Sequence, residues 1–205
     1  RLTGITGTNG KTTTAFYLNH ILARAGHATG LIGTICNMIG DRSIPAGLTT
    51  PEPHEIESLL AQMRDAGIEF AAAEVSSQGL DKGRVDELVF AQAVFTNLSG
   101  EHLDYHGDME TYFNAKLKLF EMLEPEASAV VNIDDPYGQR ITGQFDRAQG
   151  VSLKDPCFLR VRPLKTTPDS TSAQIEYNGE KKKATLNRPG THNCMNFALA
   201  AGSAL

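Results

Sequence analysis

Short apolar runs alternate with stretches of helical periodicity along the first two thirds of the chain. The apolar runs predict strands at residues 2–5, 31–35, 68–75, 90–98 and 128–133. The periodicity predicts helices at residues 12–25, 51–65 and 109–123. Nearly uninterrupted apolar strands that alternate with helices predict an α/β fold, in which a mostly parallel sheet carries helices on both faces.

Local signals define two connections in the first third of the chain. Gly40 and Asp41 mark a hairpin-like turn, and Thr50 has the form of a helix N-cap with Pro51 at the first helical position. The polar clusters of the sequence follow the ends of predicted strands. In parallel sheets ligands bind at that edge, so we expect the functional residues there.

The region from 151 to 188 is different, because its runs are short, polar and alternating. It predicts a small antiparallel β subdomain, with a hairpin turn at Asn178 and Gly179. Lys181–Lys183 are expected to decorate an exposed strand, since edge strands are commonly protected by lysine, although an anion site is the alternative. Residues 192–205 then begin another helix.

The segment after the first predicted strand, GTNGKTTT, has the character of a phosphate-binding loop. The common P-loop pattern has a glycine five residues before Gly10, where this chain has Ile5, so the loop is a variant. Successive backbone N–H groups, a helix N-terminus and Lys11 can still converge on phosphate, and Thr12 can ligate Mg²⁺. A glycine-rich turn with an incidental lysine is the alternative. The candidate nucleotide-binding residues are Gly7, Thr8, Asn9, Gly10, Lys11, Thr12 and Thr13.

Side chains that can ligate metals follow two further apolar strands. Glu74 ends one strand, where an acid beside a phosphate loop can hold the cation, although an ordinary polar strand end has the same pattern. His102, Asp104 and His106 follow the next strand, and a solvated loop is the alternative for each of them. Asp108 is predicted to be the N-cap of the next helix.

Lys116 lies in the middle of an apolar helical face, while Lys118 points the opposite way. The apolar members of that face are Met109, Tyr112, Phe113, Phe120 and Leu123. A lysine among apolar neighbours is costly unless its charge is matched, removed or carried out to water by its flexible stem. Periodicity leaves these outcomes open.

Composition excludes some classes of function. A formal net charge of -5 argues against a general nucleic-acid binder. Three widely spaced cysteines form neither a metal motif nor a disulfide framework, which favours a reducing, cytoplasmic setting. No apolar run has the length of a membrane span, and the sequence has no signal-peptide pattern.

Together these segments resemble the Mur ligase family, ATP-dependent enzymes that add amino acids to the peptidoglycan precursor. The motifs are TGTNGKTT at 6–13, EVSS at 74–77, NLSGEHLDYHG at 97–107, AKLKLF around Lys116, NIDD at 132–135 and GTHNCMN at 190–196. Their order and spacing run through nearly the whole chain. The resemblance implies that residues 1–205 are the central ATP-binding domain. The N-terminal domain that binds the uridine nucleotide and the C-terminal domain that selects the amino acid would both lie outside this chain.

Within the family, the chain looks most like the MurE branch, which adds the third residue of the stem peptide. The implied substrates are ATP with Mg²⁺, UDP-N-acetylmuramoyl-L-alanyl-D-glutamate, and meso-diaminopimelate or L-lysine. An acyl phosphate would be the intermediate. Two departures from many relatives, Gln78 in place of histidine and Gly100-Glu101 in place of Arg-Asp, affect the expected substrate contacts.

The resemblance also implies roles for individual residues. Lys11 and the loop amides would hold the ATP phosphates, Thr12 and Glu74 the first Mg²⁺, and His102 a second Mg²⁺. Lys116 would be carbamylated. The residues near the adenine would be Asn193 and Asn196, with Asp134 and Asp135 as weaker candidates. The residues that contact the nucleotide-sugar peptide would be Thr49, Thr50, Ser76 and Arg84.

Three other functions compete with this interpretation. The chain could belong to another ligase of the superfamily, such as a folylpolyglutamate synthetase. It could instead be a nucleotide-binding module that has lost catalysis, although the intact candidate residues argue against that. A dinucleotide-binding domain fits poorly, because the Gly-Lys-Thr sequence favours a triphosphate with Mg²⁺.

Overall fold

The computed structural model describes residues 1–205 and contains a single sheet of eleven strands. The strands are β1 (Leu2–Thr6), β2 (Thr29–Ile32), β3 (Cys36–Ile39), β4 (Arg42–Pro45), β5 (Phe70–Glu74), β6 (Phe90–Phe95), β7 (Leu123–Asn132), β8 (Ala148–Ser152), β9 (Leu159–Thr166), β10 (Thr171–Tyr177) and β11 (Glu180–Leu186). The helices are α1 (Lys11–Arg24), α2 (Pro53–Asp65), α3 (Ser77–Asp81), α4 (Leu103–His106), α5 (Met109–Glu121), α6 (Pro136–Thr142) and α7 (Thr191–Ser203).

The spatial order of the strands is β11-β10-β9-β8-β7-β6-β1-β5-β2-β3-β4. The strands from β9 through β2 in this order run parallel, while β3 and β4 at one end and β10 and β11 at the other are antiparallel. The mostly parallel α/β fold is therefore confirmed, as is the antiparallel region, which extends the main sheet edge to edge.

Helices cover both faces of the sheet because its inner strands are apolar on both sides. On β6, Ala93 and Phe95 belong to the core beneath α2, α3, α5 and α6, while Val94 belongs to the core beneath α1 and α7. The carboxyl ends of β1, β5 and β6 lie side by side, so the polar segments that follow them meet at one edge.

Most local predictions are confirmed. Asn178 and Gly179 both have positive φ, as a two-residue hairpin turn of type I′ requires, and Lys181–Lys183 lie exposed on the edge strand β11. Asp108 accepts a hydrogen bond from the Thr111 N–H as the N-cap of α5. No helix has the length and apolar character needed to span a membrane.

Several predicted boundaries are wrong. Strand β6 ends at Phe95 rather than at residue 98, and β7 begins at Leu123 rather than at residue 128. Two further errors lie near Glu74. Helix α2 begins at Pro53 with Glu52 as its N-cap, because the Thr50 hydroxyl bonds instead to the Glu74 carbonyl and the Ser76 N–H. Strand β2 ends at Ile32 rather than continuing to residue 35, because the chain turns there toward the Glu74 carboxylate. Tertiary hydrogen bonds override the local signals at both places.

Candidate active site

The phosphate-type loop connects β1 to α1 and packs against the last helix of the chain. Gly10 has a φ of 90°, and a Cβ at that position would lie 2.3 Å from Asn196 Oδ1, so glycine is required there. Asn196 is buried on α7 against the loop. Asn193 lies one turn earlier, where its amide donates to the Pro189 carbonyl. Thr13 is half-buried in the first turn of α1.

The Lys11 ammonium folds back over this loop and donates to the carbonyl oxygens of Gly7 and Thr8, at 2.8 and 2.9 Å. Burial lowers the pKa of Lys11, and the nearby Glu74 and Glu101 carboxylates oppose that shift. A partly desolvated cation that is held by neutral carbonyls gains more from an anion than an exposed lysine would. The loop is therefore suited to bind phosphate.

Glu74 ends β5 beside the loop and is almost completely buried. Its Oε2 accepts a hydrogen bond from the Thr12 hydroxyl at 2.7 Å, and its two oxygens also accept bonds from the backbone N–H and hydroxyl of Thr34. The carboxylate and the Thr12 oxygen are hard ligands of the kind that Mg²⁺ prefers. No sequence pattern identified Thr34, because its contact with Glu74 spans forty residues.

A polar cavity of about 200 Å³ opens beside the loop. Its walls include Lys11, Thr49, Thr50, Ser76, Ser77, Gln78, Arg84, His102, Tyr112 and Lys116. Thr50 and Ser76 are joined by their hydroxyls at 3.1 Å, and Arg84 donates to the Thr50 carbonyl while it pairs with Glu52. The four residues predicted to contact the sugar peptide thus line the same cavity as Lys11.

Lys116 is buried on α5, and its ammonium lies 4.4 Å from the centre of the Tyr112 ring. Its stem does not carry the charge to water, so that alternative is excluded. Burial, reinforced by the nearby charge of Lys11, lowers the pKa of Lys116 to about 6. The amine is therefore mostly neutral at pH 7 and above, while Lys118 is half-exposed and lies 3.6 Å from Asp81.

The two histidines of the loop after β6 occupy different environments. His102 is exposed at the cavity wall with a left-handed φ of 59°, a conformation uncommon for residues other than glycine. His106 is buried, stacks on the Tyr112 ring at 4.7 Å and lies 2.9 Å from the Ser77 hydroxyl. Burial lowers the pKa of His106, so it is a neutral structural partner of the site.

Asn9 is fixed by residues that follow β6, and sequence patterns did not identify these contacts. Asn97 exchanges two hydrogen bonds with its backbone, and Thr96 donates to its carbonyl at 2.7 Å. The Asn9 amide donates to Glu101, one of the residues at which the chain departs from many relatives. The conformation of the loop after β1 thus depends also on the segment that follows β6.

Asp134 and Asp135, the weaker nucleotide candidates, both make hydrogen bonds to other residues of the protein. Asp134 accepts hydrogen bonds from the Ser152 hydroxyl and the Leu153 N–H, at 2.5 and 2.9 Å. Asp135 caps α6 and accepts a hydrogen bond from the Leu98 N–H. Both carboxylates therefore serve the connections around the site.

The structure brings together the loop lysine, the buried carboxylate and the buried lysine of α5. Lys11 and Lys116 line one cavity, and Thr12, next to Lys11, bonds to Glu74. Such an arrangement can bind a nucleotide phosphate chain with a cation beside a second, polar ligand pocket.

Comparison with known proteins assigns the family. The model of the Mur ligase middle domain matches residues 5–204. The chain belongs to the Mur ligase family. A Mur ligase relative from Xanthomonas campestris pv. campestris, named UDP-N-acetylmuramoyl-L-alanyl-D-glutamate–2,6-diaminopimelate ligase, is 49% identical over 99% of this chain and 42% of its own length. A relative of the same name from Clostridium perfringens is 40% identical over 96% of this chain and 41% of its own length.

A solved structure of a Mur ligase with that name is also similar. It has a TM-score of 0.89 and 27% identity, and the match covers all of this chain and 42% of the solved one. The chain thus spans about two fifths of the length of the relatives it matches. The family, together with the mostly parallel sheet and its antiparallel end, agrees with the sequence-based expectation.

Proposed function

We propose that this chain is the ATP-binding middle domain of a ligase that adds 2,6-diaminopimelate to UDP-N-acetylmuramoyl-L-alanyl-D-glutamate. The names of the relatives support the substrates. The observation that carries the proposal is that Lys11 and Lys116 line one cavity, while Thr12, next to Lys11, bonds to Glu74, whose charge acts on Lys11. L-Lysine remains the alternative amino acid, because residues that select it would lie in another domain.

Mg²⁺ fits the donors of this cleft. No group of three or more His, Cys, Asp or Glu side chains could hold a metal ion by itself. Mg²⁺ is usually held by one or two carboxylates together with substrate phosphates, so the Thr12 hydroxyl and Glu74 suffice when ATP supplies the rest. His102 at the cavity wall would serve a second ion. Bound Mg²⁺ would neutralise charge on the transferring phosphoryl group.

Lys116 is proposed to be carbamylated. Its neutral amine can add to CO₂, which forms an N–C bond and releases a proton, and the product is a carboxylate on the lysine nitrogen. The low pKa of Lys116, caused by burial and Lys11, favours the neutral form that this reaction needs. The resulting anion would also offset the positive charge of Lys11.

The reaction would proceed in two steps at this cleft. The terminal carboxylate of the dipeptide substrate attacks the γ-phosphorus of ATP, which gives an acyl phosphate and ADP. The amine of the incoming amino acid then attacks the acyl carbon and releases phosphate. Lys11 and the loop amides would hold the phosphates in line with the carboxylate, while Thr49, Thr50, Ser76 and Arg84 would orient the substrate.

Flanking domains are part of the proposal. The N-terminal one would bind the uridine nucleotide and the C-terminal one would select the amino acid, since the relatives are more than twice as long as this chain. The isolated segment 1–205 is expected to bind ATP weakly without completing ligation. Amide formation by the isolated segment would contradict this division of labour.

The decisive experiment measures phosphate release by the full-length protein with ATP, the UDP-muramoyl dipeptide and one amino acid at a time. Release with 2,6-diaminopimelate, and far less with L-lysine, is the expected result. Activity on a folate substrate would instead identify a folylpolyglutamate synthetase. ATP binding without turnover on any substrate would identify a non-catalytic nucleotide-binding module.

A further inference from the structure

Thr34 provides most of the hydrogen bonds to the buried Glu74 carboxylate. Its backbone N–H donates to Oε1 at 2.9 Å and its hydroxyl to Oε2 at 3.0 Å, while Thr12 supplies the only other bond, at 2.7 Å. A buried carboxylate is costly unless donors satisfy it. The orientation of Glu74 therefore depends mainly on Thr34, a residue to which no role has been assigned.

The backbone before Thr34 is shaped to reach this carboxylate. A Cβ at Gly33 would lie 2.2 Å from Glu74 Oε1, so any side chain there would push the turn away. The Gly33 N–H is itself held by the buried Asn37 side chain at 3.2 Å. The turn after β2 is thus fixed on both sides, and the Thr34 N–H points at the carboxylate.

The Thr34 hydroxyl also donates to the Thr49 hydroxyl, at 3.0 Å. A hydroxyl has one proton, so Glu74 and the Thr49 oxygen compete for the proton of Thr34. Thr34 thus links Thr49 to the Glu74 carboxylate through one shared proton.

We propose that Thr34 is a positioning residue that couples the substrate pocket to the cation-binding carboxylate. This inference rests on the proposed function, in which Thr49 contacts the dipeptide substrate and Glu74 the cation. A substrate group that binds the Thr49 hydroxyl changes how strongly Thr49 competes for the Thr34 proton, and hence how strongly Thr34 holds Glu74. When the Thr12 hydroxyl ligates a cation instead of bonding to Glu74, the two hydrogen bonds from Thr34 remain to hold that carboxylate.

Coupling of this kind is reciprocal, because each ligand changes the affinity of the other by the same factor. Three variants of the full-length enzyme test it. Thr34→Val removes the hydroxyl and keeps the shape and the N–H, and Thr34→Ser restores the hydroxyl. Thr185→Val is the matched control, because Thr185 is exposed on β11 at the far end of the sheet.

Two measurements are made on each variant. Calorimetry gives the affinity for a non-hydrolysable ATP analogue with Mg²⁺, with and without the UDP-muramoyl dipeptide, and steady-state kinetics give kcat and KM. In Thr34→Val we expect the ratio of the two affinities to fall toward one. We expect kcat/KM to fall about tenfold or more, as for a lost hydrogen bond to a charged group. Thr34→Ser should recover both, and Thr185→Val should match the wild type.

If Thr34→Val has the same affinity ratio and the same kcat/KM as the wild type, the inference is overturned. The proposed function then stays intact, since the wild type still turns over its substrates. If the wild type itself is inactive, the proposed function fails instead. A cycle with Thr49→Val guards against a general loss of structure. If the coupling passes through the hydrogen bonds of Thr34, the double variant should lose no more coupling than Thr34→Val. Additive losses would also overturn the inference.

Discussion

Two regions of the sheet hold their charged side chains in opposite ways. At the antiparallel end, the Glu176 carboxylate accepts hydrogen bonds from two nitrogens of Arg160 and lies within 4 Å of Arg162 and Lys181. In the cleft, the Lys11 ammonium is held by carbonyl oxygens, and Lys116, mostly neutral at pH 7, lies over an aromatic ring. Charge is matched where it only has to stabilise the fold. It stays unmatched where a ligand can complete it, which is typical of functional sites.

The largest expected effect follows from removal of the unmatched cation in the loop. Lys11→Ala should lower ADP formation by at least about a thousandfold, because the phosphates lose the charge that stabilises transfer. The free energy of unfolding of the ligand-free protein should not fall, since a buried cation disappears. A coupled ADP assay and thermal unfolding measure both quantities. Lys165→Ala, at an exposed position on β9, is the control, and near-normal turnover of Lys11→Ala would contradict its role.

The next largest effect concerns Lys116 and pH. Its pKa is about 6 in the folded protein against an ordinary value of 10.5. Between these values the unfolded chain binds a proton that the folded protein does not, so stability should rise with pH by about 1.4 kcal/mol per unit. Lys116→Met should remove this rise in carbonate-free buffer, as measured by unfolding midpoints in urea from pH 7 to 9.

Lys118→Met is the matched control for that experiment, because it lies on the same helix and is half-exposed. Its pH dependence should equal that of the wild type. Activity provides a second check: Lys116→Ala should lose about a hundredfold in kcat and should not respond to bicarbonate. Full activity of this variant without bicarbonate would reject carbamylation as functional.

A smaller effect, confined to stability, is expected at the matched end. The Arg160 guanidinium holds the pKa of Glu176 below its usual range. Glu176→Gln should lower the unfolding temperature by a few degrees, because Arg160 loses its charged acceptor. The kcat should not change, since β9 and β10 lie away from the cleft. A fall in kcat with unchanged stability would break the contrast between the two regions.

The smallest effect is expected on the exposed edge strand. Lys182 is mostly exposed on β11, and Lys182→Glu should change the free energy of unfolding by less than about 0.5 kcal/mol. The removal of a protective edge lysine should instead favour self-association at high concentration. Light scattering at increasing concentration measures this, with Lys165→Glu as the control for net charge.

The sequence predicted those parts of the molecule that depend on local order. Periodicity and motif spacing predict five of the parallel strands, the loop, the acid at the end of β5 and the apolar face around Lys116. The sequence left open whether Lys116 reaches water, because that depends on how deeply α5 packs against the sheet. The observed burial removes this alternative.

The features that sequence reasoning missed are all long-range contacts. Thr50 resembles a helix cap, but its hydroxyl is used by the strand end at Glu74 and Ser76. Thr34 and Tyr112 carry no motif that distinguishes them from surface or core residues. Their partners lie forty and about a hundred residues away, so only the assembled sheet reveals their contacts.

The contact between Gly10 and Asn196 has a consequence for synthesis on the ribosome. The first turn of the chain rests against its last helix, with nearly the whole domain translated between them. A nascent polypeptide that stops before α7 lacks the Asn196 side chain against which Gly10 packs. Affinity for nucleotide should therefore appear abruptly once α7 leaves the exit tunnel, rather than growing as each strand is added.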